Sequence, residues 1–175
     1  ALLGVSFAVI LILMQLGFRE AMFGSAVRYH ETLRYEIALV SPEMAFIVQP
    51  VSFPSRRLYQ ALAVPGVVSV SPVHLGVGRW KNPETFETRS IFVVGLDPAD
   101  GVLPLPEIER QRATLLLEDA ILFDEASRPE FGPVAERIHE NGSMAVEINH
   151  RRVRVAGTFV FGTSFGLNLP WWGPL

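Results

Sequence analysis

The residues whose types can do chemistry are few, and their spacing argues against most of the reactions they suggest. Gly162-Thr-Ser-Phe-Gly166 fits the G-x-S-x-G turn of a serine hydrolase. That turn works when a strand precedes the serine and a helix comes after it, so that a sharp bend exposes the hydroxyl to a histidine base. An apolar run precedes Ser164, but Pro170 and Gly173 interrupt the stretch after Gly166, and no histidine stands beyond Ser164. A glycine-rich loop is the better reading. Gly76-Val-Gly78 lacks the third glycine of a dinucleotide turn and lies in strand alternation. No G-x-x-x-x-G-K-[ST] occurs anywhere, so no phosphate-binding loop is expected in this chain.

Glu118, Asp119, Asp124, Glu125 and Glu130 crowd around the apolar Ala120 to Phe123. Strand alternation sends Glu118 and Asp119 to opposite faces, so they do not read as an acid/base pair. Solvated strand ends are the expectation, with a cation or partner site as the alternative. His30, His74, His139 and His150 have no ligand-like spacing and read as surface or turn residues. Arg151, Arg152 and Arg154 read as one solvent face of a hairpin, with contact to an acidic partner or a lipid headgroup as the sharper alternative. Asn141-Gly-Ser143 fits a glycosylation sequon, but Asn-Gly also favours a tight turn, the preferred reading. The absence of cysteine excludes disulfides, thiolate zinc sites and a cysteine nucleophile. A net charge of −3 gives no basic footprint for nucleic acid. No catalytic, cofactor or metal residue is assigned.

The element that organises the rest is the apolar start. Ala1 to Phe18 carries no charge, and Ser6 and Gln15 are its only clearly polar side chains. As a helix it spans roughly 27 Å, close to the hydrocarbon thickness of a bilayer. A buried soluble helix rarely runs so long without a polar face. A cleaved signal peptide would show a basic leader, a shorter apolar centre and a small-residue cleavage site. A transmembrane helix over residues 1–18 is the reading, in a piece of a longer protein whose cytoplasmic start is missing. Phe18, Met22, Ala26 and Leu33 continue a helical stripe beside Arg19, Glu20, Arg28, Glu31 and Arg34. Residues 19–34 therefore read as an amphipathic stalk. The charges at the membrane exit are mixed, which favours the non-cytoplasmic side.

Beyond the stalk, 175 residues leave room for one further domain with its own core. Tyr35 to Val40, Ala45 to Val48 and Val67 to Val70 read as short strands. A helix opens at Pro54, with Ser52 as a nearby cap, and stops at Val64 before Pro65-Gly66. Val73 to Trp80 and Phe86 to Leu96 form a hairpin turning at Lys81-Asn-Pro-Glu-Thr85, with Val73, Leu75 and Val77 on the half-buried face. A short helix is expected within Pro104 to Leu115, a strand over Ala120 to Phe123 and a break at Phe131-Gly132-Pro133. A second hairpin joins Met144–Ile148 to Val153–Phe161 through Asn149-His150. The tail, 167–175, shows no periodicity and reads as irregular or aberrant; its two tryptophans suit a membrane interface as the alternative.

Longer segments carry a family likeness. Leu62-Ala-Val-Pro-Gly-Val-Val-Ser-Val-Ser-Pro72 resembles the segment after the first helix of the extracytoplasmic core in MacB/FtsX-type ABC permeases. MQLGFREAMFGSAVRYHETL from Met14, FPSRRLYQAL from Phe53, WKNPET from Trp80 and LFDEASRPEFGP from Leu122 resemble the DevC group of exporter permeases. The likeness runs colinearly over about residues 1–166 and stops at Leu167.

The resemblance implies an α+β fold: one N-terminal transmembrane helix extending into a stalk, then a MacB-like extracytoplasmic core over 35–166 of short strands, hairpins and two or three helices. It implies a permease subunit in a bacterial, cyanobacterial by the group's name, inner membrane, with residues after about 19 in the periplasm. It implies a permease homodimer with a separate ABC ATPase, a periplasmic membrane-fusion adaptor and an outer-membrane channel, and glycolipid is the cargo that the group's name suggests. The competing reading is a single-span sensor or anchor whose outer domain binds a ligand.

Overall fold

Leu2 to Thr32 form one uninterrupted helix, α1, of 31 residues, about 46 Å at 1.5 Å per residue. The structure, a computed structural model, describes residues 2–44, 50–161 and 170–172. Its class is mixed α+β, as expected. A five-stranded sheet is closed by a short sixth strand into a barrel.

The first hairpin forms as the alternation predicts. β1 (His74–Lys81) pairs antiparallel with β2 (Thr88–Gly95) over all eight residues. The face differs from the one expected at all but Leu75, which is half-buried. Val77 is 53% exposed, whereas Trp80 is fully buried and Gly78 is buried too. The large indole wins the choice of side, and Gly78 makes it possible: a Cβ there would lie 2.8 Å from Ile148 Cγ2.

α3 (Pro106–Arg110) and α4 (Arg112–Leu115) occupy the stretch where the sequence predicts one short helix. Gln111 separates them, and Pro106 sits in the first turn, where its missing N–H costs nothing. β3 (Ala120–Asp124) is buried at every position. The expected break at Phe131 is a 3-10 turn closed by Gly132 at φ +95°, a left-handed conformation suited to glycine. α5 (Val134–Asn141) comes next and buries Val134 and Ile138. Its end is Asn141-Gly142: Gly142 is the left-handed cap, so this dipeptide ends a helix and does not join strands. The second hairpin, β4 (Met144–Ile148) and β5 (Arg151–Phe159), turns at Asn149-His150 as expected. Both turn residues have positive φ, +52° and +65°, the twist that a two-residue hairpin turn prefers.

Residues 167–175 are not wholly irregular. Pro170–Trp172 is a strand, β6, parallel to β2 and antiparallel to β3. Aromatic residues suit strands, and Pro stands at the first strand position, where a missing N–H is tolerated. The strand fills the gap between two edges. The barrel order is β1-β2-β6-β3-β5-β4, with β4 returning to β1 through Trp80–Ile148 and Lys81–Glu147.

Two apolar clusters lie against the sheet. Trp80, Ile91, Phe123, Phe131, Ile138, Ile148 and Val155 belong to the one beneath α5. Phe92, Val94, Leu96, Ile108, Leu115, Leu122 and Phe159 belong to the one beneath α3 and α4. Successive residues of β2 and β3 thus feed different clusters, so both strands are buried on both faces. A bulge between Ile121 and Leu122 in the β3–β5 ladder goes with the change of cluster from Val155 to Phe159.

The segment between α1 and β1 departs most from expectation. Tyr35–Val40 and Val67–Val70 are not strands. Ile37 is 85% exposed and Val68 95%. Their β-forming residues meet no partner strand among the described residues, and without a ladder β propensity alone does not make a strand. The expected strand at Ala45–Val48 lies outside the described residues. The helix α2 (Arg56–Leu62) begins two residues after Pro54, has Ser55 as its first cap without a side-chain bond, and buries none of its residues. It stops before Pro65, with Gly66 at φ +92°.

Candidate functional site

The most distinctive functional element is α1. Its window Gly4–Ala21 is 18 residues long, and none of it is buried by the rest of the protein. Side chains such as Phe7, Ile10 and Leu13 are more than half exposed. A soluble core would hide such a stripe; a bilayer's hydrocarbon would solvate it, and the helix satisfies its own backbone hydrogen bonds there. The helix is long and apolar enough to cross a membrane.

The chain directly after α1 is seated on the domain. Leu33 packs against the cluster beneath α3 and α4. The Arg34 N–H donates to the Val102 carbonyl at 2.8 Å. The loop carrying Val102 is held in turn by Arg112, whose guanidinium donates to the carbonyls of Pro98 (2.6 Å) and Ala99 (2.8 Å). A displacement of α1 therefore meets, directly after the helix, a segment tied to the core by the Leu33 side chain and the Arg34 backbone.

The carboxylates do not all behave as solvated strand ends. Asp124 is 2% exposed, and its Oδ1 accepts from the backbone N–H of Ala126 and of Phe161, both at 3.1 Å. It staples the loop after β3 to the chain leaving β5, and charge-assisted bonds offset part of its desolvation. Glu118 and Asp119 precede β3 instead of alternating within it, and Asp119 has φ +58°. Both converge on Arg151, at 3.5 Å and 2.7 Å. These pairs are partly exposed and contribute on the order of 0–1 kcal/mol each. Glu130 is exposed, as expected.

Glu125 gathers the remaining polar groups. Its Oε1 accepts from Thr158 Oγ1 at 2.6 Å and lies 3.1 Å from His139 Nε2. The Thr158 hydroxyl is thus bonded to a carboxylate and not to the histidine, which is the wrong order for a base-activated nucleophile. The cluster borders an open cleft of about 440 Å³ lined also by Glu107, Arg110 and Gln111. His150 lies 3.5 Å from Glu147 at the hairpin turn and His74 is exposed on β1, so the surface and turn readings of these histidines stand. Among the described residues no three His, Asp or Glu groups form a metal-holding set. Ser164 and its flanking glycines lie outside the described residues.

A second cleft of about 320 Å³ opens beside the β1–β4 seam, lined by Lys81, Asn82, Pro83, Phe86, Glu147 and Arg152 among others. Asn82 builds its rim. The residue is 5% exposed; its Oδ1 accepts from the N–H of Glu84 (2.8 Å) and Thr85 (3.1 Å). Its Nδ2 donates to the Glu130 carbonyl at 2.9 Å. The sequence marks Asn82-Pro83 as a turn, but nothing in its pattern distinguishes a buried, fully bonded Asn82 from a solvated one.

No family model matches the chain, no curated protein matches it, and no solved structure matches it.

Proposed function

We propose that the chain is the membrane-anchored part of an exporter permease, with α1 crossing a bacterial inner membrane and the barrel domain on the periplasmic side. The observation that carries this reading is the continuity of α1: a bare apolar span runs unbroken to Thr32, and the two residues directly after it, Leu33 and Arg34, are seated on the domain core. A rigid helix of that length suits the transfer of displacement across the membrane surface. The likeness to DevC-type permeases supplies the rest. By that likeness a separate ABC ATPase drives the motion. A second permease copy, a periplasmic adaptor and an outer-membrane channel complete the machine, and glycolipid is the proposed cargo. This chain performs no covalent chemistry in that scheme.

Co-purification tests the reading. The tagged full-length protein is extracted from native membranes in mild detergent, and its companions are identified. Recovery of an ABC ATPase together with a periplasmic adaptor is the expected result. Recovery of neither, with the protein intact in the membrane, overturns it in favour of a single-span sensor or anchor.

A further inference from the structure

The cleft beside the β1–β4 seam brings together a strained aromatic residue, a strand edge and an exposed cation. Phe86 sits at φ +61°, a conformation that costs a bulky side chain about 1–2 kcal/mol. The strain is not compensated by burial, because Phe86 is 68% exposed; the ring lies 5.9 Å from Lys81 Nζ and keeps most of its surface open. The rim holds it there: Phe86 N–H donates to the Asn82 carbonyl at 3.0 Å, and Asn82 N–H donates to the Glu87 carbonyl at 2.8 Å. A glycine would satisfy that geometry without strain. An aromatic residue held out in a strained turn beside a cleft is the profile of a binding anchor.

The opposite wall is a strand edge. Across the seam Lys81 pairs with Glu147, the last such pair on β4. Ala145 is two residues further along that edge, and strand geometry returns its backbone groups to the side on which Glu147 meets β1. Ala145 lines the cleft together with Pro83, and Pro83 has no N–H to offer. The β1–β4 ladder therefore stops at the cleft and leaves β4 an open edge there.

Charge chooses among extended ligands. Glu147 is engaged by Lys81 at 3.3 Å and by His150 at 3.5 Å. Arg152, exposed on the adjacent strand, stands across from Glu147 in the β4–β5 ladder, but no ion pair within 4 Å joins it to Glu147 or to another described carboxylate. The cleft thus presents one uncommitted cation, with an imidazole beside it.

We propose that this cleft docks an extended acidic segment of a protein partner, which adds to the β4 edge at Ala145, packs an apolar side chain on Phe86 and sets a carboxylate against Arg152. Edge addition supplies affinity through the main chain, and the alternate side chains supply selectivity. The inference does not depend on the transport reading.

The test uses the full chain in nanodiscs of zwitterionic lipid, against a displayed library of random octapeptides. Selection on the wild type is expected to enrich sequences with Asp or Glu at alternate positions. The best peptide should lose at least tenfold in affinity on Arg152→Glu and on Phe86→Gly. N-methylation of its alternate amides should cost as much. Phe86→Gly should melt no lower than the wild type, which separates lost docking from lost folding. No acidic enrichment, or an enriched peptide that binds Arg152→Glu with wild-type affinity, overturns the proposal. So does Arg152-dependent binding of phosphatidylserine liposomes without any peptide enrichment, which would make the cleft a lipid-headgroup site.

Discussion

The side chain of Gln111 fills the space that a Cβ on Gly157 would occupy. Its Nε2 donates to the Glu107 and Thr158 carbonyls, both at 2.8 Å, and so ties the α3–α4 junction to β5. Gly157→Ala is therefore expected to displace Gln111, losing two bonds of about 0.5–1.5 kcal/mol each and adding steric strain. Equilibrium unfolding in detergent should show a loss of about 2–4 kcal/mol. In a Gln111→Ala background the same alanine should cost less than half as much, because the clash has gone. Equal costs in the two backgrounds would refute the interlock.

Trp80 joins β1 to the turn before α5. Its Nε1 donates to the Phe131 carbonyl at 3.0 Å, the Phe131 ring meets it edge-on at 6.2 Å, and Phe123 lies 5.3 Å away on β3. Trp80→Phe keeps an aromatic ring but leaves a smaller side chain in a fully buried site and a carbonyl without its donor. A loss of about 2–4 kcal/mol is expected in thermal or denaturant unfolding. A loss below about 0.5 kcal/mol would mean that water or a repacked neighbour replaces the indole.

His150 at φ +65° occupies a turn position that glycine takes without strain. His150→Gly should raise stability by about 0.5–1 kcal/mol, because relief of the left-handed strain exceeds the added freedom of the unfolded chain. Its contact with Glu147 is 3.5 Å long and the imidazole side chain is 78% exposed, so losing that contact costs little. A lower melting temperature for this variant would show that the imidazole holds the hairpin.

How legible each element is in the sequence depends on the forces that fix it. The two hairpins and β3 are readable because local alternation and turn residues coincide there with long-range pairing. The side of β1 is not, because a count of apolar residues favours Val73, Leu75 and Val77, whereas one buried indole decides. β6 is hidden because three residues carry no periodicity, and their pairing is with strands more than 40 positions away. The apolar runs at Tyr35–Val40 and Val67–Val70 mislead for the converse reason: strand-forming side chains without a partner ladder. At the sites, the solvent-facing histidines are readable from their scatter. The burial of Asp124 is not, since it depends on N–H groups of a loop and of the chain leaving β5. The Asn82 rim and the strained Phe86 likewise depend on contacts that local spacing does not encode.

The continuity of α1 makes the last prediction. Ala26 lies in the helix beyond the apolar window and before the seat at Leu33. Ala26→Pro removes the hydrogen bond to the Met22 carbonyl and clashes with it, which kinks a helix at a cost of about 3 kcal/mol. The apolar window Gly4–Ala21 is unaltered, so the protein should still resist alkaline extraction from membranes. The domain's bonds lie on the other side of the kink, so its unfolding midpoint should change little. Under the proposed function the kink breaks the rigid path between the two. Transport in reconstituted vesicles should then fall at least tenfold while ATP hydrolysis by the partner continues. Transport at the wild-type rate, with the variant inserted and folded, would show that α1 is an anchor and that the driving motion reaches the domain by another route.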